Sequence, residues 1–225
     1  LGDYHVKVYA ADQDFTNEIH AVIDVELDDQ RKKESLQLIE ARISKDVPIF
    51  TSTLHRTATE IASWLEYPAR VLGFSPILFY KMKRLEIALP LQFNETELHQ
   101  SLLFWKEIGK EIEVVGDEPG LVFPRMIALL INEATFALAE GIAIKEDIDL
   151  AMRKGTNYPY GPLEWADDIG IDVIVTILNG LYRELGEEKY RPAPLLKKMS
   201  YAGYYGQVSG KGFYSYQRTS SLVEW

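Results

Sequence analysis

The chain of 225 residues contains no cysteine, so it can form neither a disulfide nor a thiolate metal site. No apolar run is long enough to span a bilayer, and the first residues show no secretory signal peptide. These absences predict a cytoplasmic protein with no membrane-spanning segment and no disulfide framework.

Positive charge is also scarce. The sequence has 24 Lys and Arg against 34 Asp and Glu, which gives a net charge of −10. An acidic chain is repelled by phosphate backbones and by anionic lipid surfaces, so neither nucleic acid nor a membrane is expected as a partner. The apolar share of 47% is typical of a globular protein, and the length allows one or two domains.

A glycine-rich phosphate loop of the form G-x-G-x-x-G is absent as well. In dinucleotide-binding domains such a loop lets the backbone approach the pyrophosphate, which lies on the N-terminus of the following helix. The glycines of the first half are isolated from one another, at Gly2, Gly73, Gly109, Gly116 and Gly120. We therefore expect this chain to bind no cofactor of this kind, NAD included.

The first half alternates short apolar strands with helices, which predicts a parallel sheet with helical crossovers. Strands are predicted at residues 6–9, 20–25, 47–52, 70–75, 85–89 and 111–115, and helices at 28–43, 57–65 and 94–108. The strand at 20–25 is apolar on both faces, so its edges require neighbours. We expect strand 6–9 of the same chain to pair with it, the alternative being a strand from another chain. The basic run at 31–33 is expected on a solvated helix face.

The second half is predicted to be helical, which divides the chain into domains at 1–117 and 118–225. Apolar residues cover nearly every face of a helix over 121–139, and this pattern predicts a helix that is buried all round. A second helix is expected from about 145 to 153, and a turn at Gly161-Pro162.

Short motifs recur in order across the second half. They are Pro119-Gly120, Arg125, Asn132-Glu133-Ala134, Asp147-Ile148-Asp149, Ala151-Met152, Pro159, Gly161-Pro162, Glu164, Asp168, Gly170 and Asp172, then Tyr190-Arg191-Pro192, Ala202-Gly203, Gly206 and the run from Ser209 to Tyr216. Together these motifs resemble the C-terminal domain of the 3-hydroxyacyl-CoA dehydrogenase family.

The resemblance implies a truncated Rossmann-like α/β domain, lacking its N-terminal phosphate-binding half. An all-α domain like the C-terminal domain of 6-phosphogluconate dehydrogenase would follow it. The resemblance further implies a homodimer through the helical domain, an acyl-CoA-type ligand and, in complete family members, NAD as the cofactor. Strand 6–9 alternatively matches the family's second strand, with Asp12 where an acidic ribose partner would lie.

The resemblance also locates four catalytic positions. The family's general base, a His, falls on Ser75, its substrate-binding Ser on Leu54 and its Asn on Pro124, whereas the Glu that orients the base is retained as Glu86. Ser75 is not a base near neutral pH, Leu54 has no hydrogen-bond donor, and Pro124 has neither a side-chain donor nor an N–H. These replacements predict the loss of NAD-dependent dehydrogenation.

Three hypotheses follow from the resemblance. The first is a degenerate dimeric scaffold or acyl-ligand binding module, and the second is an active oxidoreductase whose cofactor-binding half is missing from this chain. The third is a hydrolase with Ser75 as nucleophile, His55 as base and Glu86 as the orienting carboxylate. Ordinary structural roles compete for the same residues: Glu86 can pair with Arg84 or Arg125, and His55 can be a merely exposed loop residue.

Overall fold

The computed structural model describes residues 19–217, apart from the side chains of residues 95–100. The chain divides into two compact units, Leu1–Val122 and Phe123–Trp225. The predicted strand at 6–9, its pairing with 20–25 and the alternative role of Asp12 lie outside the described residues.

The described part of the first unit contains a five-stranded sheet whose strands lie in the order of the sequence. The strands are β1 (Val22–Asp24), β2 (Ile49–Ser52), β3 (Val71–Phe74), β4 (Arg84–Ala88) and β5 (Glu111–Val115). Strands β1 to β3 are mutually parallel, as predicted. The prediction is wrong for β4, which runs antiparallel to β3, and β5 then runs parallel to β4. Residues 75–83 form turns and no helix, and a parallel connection needs a longer crossover.

Three helices accompany the sheet: α1 (Asp29–Glu40), α2 (Ala58–Ala62) and α3 (Glu95–Glu107). The first two begin with side-chain N-caps, since the side chains of Asp28 and Thr57 accept hydrogen bonds from the backbone N–H groups of Arg31 and Glu60. Helix α1 ends three residues before the predicted position 43. Its last turn tightens there, with the N–H of Arg42 bonded to the carbonyl of Ile39.

Apolar clusters cover both faces of this sheet because successive strand residues point to opposite sides. Ile49 and Val71 belong to one cluster, which contains Leu36 of α1. Phe50 and Leu72 belong to the other, which contains Trp105 of α3. The Trp105 ring is fully buried and packs edge-on against Phe50 with 4.8 Å between ring centroids.

The described part of the second unit is helical, as predicted. Its helices are α4 (Phe123–Ala139), α5 (Lys145–Gly155), α6 (Pro162–Ile169), α7 (Ile171–Leu185) and α8 (Pro194–Tyr201). The pair Gly161-Pro162, predicted as a turn, instead starts α6, with Gly161 as N-cap and Pro162 at the first helical position. None of the helices described in either unit is long and apolar enough to cross a membrane.

Helix α4 packs against α6, α7 and α8 through one face, which includes Ile127, Ile131 and Ala134. The prediction that this helix is buried all round is wrong for the single chain, because the side of α4 that carries Met126 is open and Met126 is 63% exposed.

Candidate functional site

The loops after β2 and β3 carry three of the residues that the sequence assigned to the site. Leu54 and His55 follow β2, and Ser75 follows β3 directly. Because β2 and β3 are parallel, their carboxyl ends meet at one edge of the sheet, where α/β proteins bind ligands. Glu86 lies on the antiparallel strand β4, and Pro124 lies in the first turn of α4 in the second unit.

Leu54 and Ser75 are both buried, and Leu54 is only 1% exposed. The Ser75 hydroxyl accepts a hydrogen bond from the backbone N–H of Ile77 at 3.3 Å, which stabilises the turn that follows β3. Neither side chain can accept the proton of a hydroxyl substrate near neutral pH.

His55 is buried, at 6% exposure, so the reading of an exposed loop residue is wrong. Its Nε2 lies 2.9 Å from Oδ1 of Asp29, the first residue of α1. Arg56 also binds the Asp29 carboxylate and reaches Glu60 on α2. The loop after β2 is thus tied to the start of α1 by two side chains that share one carboxylate.

Burial and the hydrogen bond to Asp29 shift the pKa of His55 in opposite directions. Burial lowers the pKa of His55 below its usual value of 6.5, and the hydrogen bond to Asp29 partly opposes this. The pKa of Asp29 is lowered to about 2, chiefly by the hydrogen bond from Arg56. At neutral pH the imidazole is therefore neutral and donates from Nε2 to an ionised carboxylate.

A buried ion pair at the end of β1 was missed by the sequence interpretation. Lys32 has no exposed surface, although the run 31–33 was expected on a solvated face. Its ammonium group pairs with Asp24 and donates to the carbonyl of Glu26 at 2.9 Å, and the Thr51 hydroxyl donates to Asp24 at 2.6 Å. An acidic residue ending an apolar strand, as Asp24 does, is the sequence signal that could have revealed the pair. Burial lowers the pKa of Lys32, against the attraction of Asp24.

Glu86 accepts a hydrogen bond from the backbone N–H of Val122 at 3.0 Å. Arg84, a predicted partner of Glu86, lies beside Glu111 at 3.5 Å and Glu113 at 3.7 Å on the neighbouring strand β5.

The three residues of the hydrolase hypothesis have different partners in the structure. Ser75 bonds to the Ile77 backbone, His55 to Asp29 and Glu86 to the Val122 backbone. These contacts do not form the nucleophile–base–carboxylate chain that nucleophilic catalysis requires.

In the second unit, two buried carboxylates hold the motif residues together. Asp149 of α5 accepts hydrogen bonds from the N–H groups of Leu163 and Glu164, at 2.8 and 3.1 Å, and from the Tyr214 hydroxyl at 2.8 Å. It therefore caps the N-terminus of α6. A Cβ at Gly161 would lie 2.1 Å from the carboxylate carbon of Asp149, so residue 161 must be glycine.

Asp167 of α6 fixes the chain beyond α8 through a similar set of hydrogen bonds. It accepts hydrogen bonds from the N–H groups of Phe213 and Tyr214, both at 2.8 Å, and from the Tyr216 hydroxyl at 3.0 Å. Burial raises the pKa values of Asp149 and Asp167. The sequence interpretation assigned the motif aspartate to Asp168, and the fully buried residue one position earlier is the one that makes these contacts.

The aromatic tail at 213–216 is consequently a packing element, held in place by Asp167. The motif residue Asn132 is likewise structural. Its side chain donates to the carbonyl of Arg191 at 3.0 Å and accepts from the N–H of Ala193 at 2.7 Å. Among the residues that the structure describes, no group of three His, Asp or Glu side chains could hold a metal ion.

The sequence that makes these contacts is similar to that of known proteins. Residues 120–216 match the model of the 3-hydroxyacyl-CoA dehydrogenase C-terminal domain. The chain is also 36% identical, over 201 residues, to a 3-hydroxybutyryl-CoA dehydrogenase of Clostridioides difficile. That alignment covers 88% of this chain and 71% of the relative. The chain belongs to the 3-hydroxyacyl-CoA dehydrogenase family.

Two further relatives show how much of a family member the chain spans. It is 40% identical over 166 residues to a probable 3-hydroxybutyryl-CoA dehydrogenase of Bacillus subtilis, covering 72% of this chain but 57% of that protein. The crystal structure of (S)-3-hydroxybutyryl-CoA dehydrogenase from Ralstonia eutropha superposes with a TM-score of 0.79 at 33% identity, covering 88% of this chain and 71% of that one. The family resemblance is therefore confirmed for both the α/β and the helical part.

The family resemblance implies NAD as the cofactor of complete members. The helix starts that the structure describes show whether they could bind the diphosphate of NAD. Helices α1 and α2 follow the parallel strands β1 and β2, and a diphosphate would bind at such helix starts. Asp28 and Asp29 occupy the start of α1, whereas Asp117 accepts from the first N–H groups of α2, at Ala58 (2.6 Å) and Thr59 (2.8 Å). Both starts already hold carboxylates, so they do not fit a diphosphate.

Proposed function

We propose that the chain is a pseudoenzyme of the 3-hydroxyacyl-CoA dehydrogenase family. It has lost NAD-dependent turnover and serves as a dimeric scaffold that binds an acyl-CoA-type ligand in the cytoplasm. The observation that carries this proposal is the state of the family's catalytic positions. Leu54 is a buried apolar residue, and the Ser75 hydroxyl is bonded within its own turn.

The ligand part of the proposal rests on family membership and on the preserved helical unit. Its motif residues, including Asp149, Asp167 and Asn132, make the buried contacts that hold its helices and tail together. A chain that had lost every selected role would not be expected to keep such a set of contacts. The relatives act on 3-hydroxybutyryl-CoA by name, so an acyl-CoA is the first ligand to test.

The dimer is supported by the apolar residues that the single chain leaves open in the second unit. Met126, Ile142 and Ile144 are all more than half exposed. Side chains of this kind on a preserved helical unit are typical of a protein–protein contact. Light scattering is expected to give about twice the chain mass of 25.7 kDa, and a monomer at micromolar concentration would exclude the scaffold in its dimeric form.

A second candidate function is an active oxidoreductase whose cofactor-binding part is not in this chain. The alignment with the Clostridioides difficile relative, which covers 71% of that protein, is compatible with it. Calorimetry distinguishes the ligand claims: we expect heat of binding with acetoacetyl-CoA and none with NADH. Binding of NADH at micromolar concentration would favour the oxidoreductase, and the absence of acyl-CoA binding would leave only the scaffold.

A further inference from the structure

Residues 117–122 are the last residues of the first unit, between β5 and α4, and four hydrogen bonds attach them to other parts of that unit. The Asp117 carboxylate accepts from the first N–H groups of α2. The N–H of Gly120 donates to the carbonyl of Thr53 at 2.8 Å, and the N–H of Val122 donates to Glu86 at 3.0 Å. The segment is thus bonded to the loop after β2 and to strand β4.

The backbone between the last two bonds is strained. Leu121 has a φ of 51°, in the left-handed region that is unfavourable for a residue other than glycine. Such a conformation persists only where its surroundings determine it. Leu121 is itself buried, and its neighbours on either side are held by Thr53 and Glu86.

We propose that Glu86 is a positioning residue that holds the segment 117–122 in this conformation through Val122, and that it does so as a hydrogen-bond acceptor, without acid–base chemistry. This explains why a carboxylate remains at position 86 when Ser75 stands at the position of the base. The inference holds whether or not the chain turns over a substrate, so it stands apart from the proposed function.

Amide hydrogen exchange of the full chain tests the proposal at Val122. Glu86→Ala removes the acceptor, and exchange at Val122 is expected to become up to about tenfold faster, as for the loss of one hydrogen bond. Glu86→Gln keeps an oxygen acceptor of the same reach but has no charge, so it should restore wild-type protection. The matched control is Glu113→Ala, because Glu113 is the residue paired with Glu86 in the register of β4 and β5.

Each outcome decides. Fast exchange in Glu86→Ala with protection in Glu86→Gln and in the control supports the proposal. Equal loss in the glutamine and alanine variants would show that the charge is required and would overturn it, as would unchanged exchange in the alanine variant or faster exchange in the control. If the alanine variant does not fold, Glu86→Met, which fills similar space without an oxygen acceptor, takes its place: faster exchange at Val122 supports the proposal and unchanged exchange overturns it.

Discussion

The carboxylate of Asp167 lies where a side chain at residue 212 would have to be. A Cβ at Gly212 would be 1.9 Å from Oδ1 of Asp167, a distance that real Cβ contacts do not reach. A Cβ at Gly206 would be 2.2 Å from the backbone oxygen of the same residue. The glycines of the tail motif are therefore explained by the approach of the chain to one buried carboxylate.

Gly212→Ala should lower the free energy of unfolding by about 2 kcal/mol or more, because either the tail or Asp167 must move and its hydrogen bonds to the tail are then lost. Urea unfolding monitored by circular dichroism measures this. Gly155→Ala is the matched control, since nothing lies within 4 Å of a Cβ at residue 155, and it should be neutral or slightly stabilising. Equal effects of the two substitutions would show that the close approach to Asp167 has no energetic consequence.

The assignment of Asp167 rather than Asp168 can be tested by two neighbouring substitutions. Asp167→Asn turns one of two acceptor oxygens into a donor that faces a donating group, at a cost of about 2 kcal/mol. Asp168 is less buried than Asp167, and Asp168→Asn should lower stability by less than Asp167→Asn does. Thermal unfolding of both variants decides, and a larger loss for Asp168→Asn would restore the original assignment.

Lys32 should tolerate no uncharged replacement while Asp24 remains. Lys32→Met leaves a carboxylate that is nearly buried without its cation, which typically costs about 3–5 kcal/mol. Adding Asp24→Asn removes the remaining charge and should recover part of the lost stability. A double-mutant cycle measures this recovery as an interaction energy between residues 24 and 32. Lys33→Met on the exposed side of the same helix is the control and should be nearly neutral. Simple additivity of the two substitutions at 24 and 32 would argue against an energetically coupled pair.

His55 should make the fold sensitive to mild acid. Its folded-state pKa is lowered by burial, so the unfolded chain takes up its proton first and stability falls as the pH drops below about 6.5. Asp29 affects stability at lower pH. Its stabilising contribution is present above its usual pKa of 3.8 and is lost as the pH falls towards its folded-state pKa of about 2.

His55→Gln should therefore flatten the decline in stability between pH 7 and pH 5, whereas His20→Gln, at an exposed position, should not. Urea unfolding at several pH values within this range provides the comparison. A wild-type slope in the His55 variant would place the acid sensitivity elsewhere in the chain.

Much of the fold could be predicted because the local signals agree with the tertiary structure. The apolar runs around Phe50 and Leu72 became parallel strands, and the helices predicted to start near residues 28 and 57 begin there with Asp28 and Thr57 as caps. The direction of β4 was mispredicted because the apolar pattern of a strand does not depend on its direction. The short turns at 75–83 determine that β4 runs antiparallel to β3.

The site was less predictable, because burial of charge depends on distant partners. Helical spacing places Lys32 on the same face as the buried Leu36, four residues later, but only the proximity of Asp24 and Thr51 makes the burial of its charge possible. His55 is similar, since its partner Asp29 lies at the start of another element. The role of Asp167 depends on a tail that returns to it from the end of the unit.

The central claim, that this family member does not carry out dehydrogenation, is tested most directly by its turnover of acetoacetyl-CoA with NADH. The oxidation of NADH is followed alongside the same assay of the Clostridioides difficile relative. On the proposed assignment of Ser75 to the position of the general base, loss of that base alone lowers the rate by about 10²–10⁴-fold. The proposed assignments of Leu54 and Pro124 would add the loss of substrate donors. The account predicts no oxidation above the protein-free blank, and turnover at a rate comparable to that of the relative would contradict it.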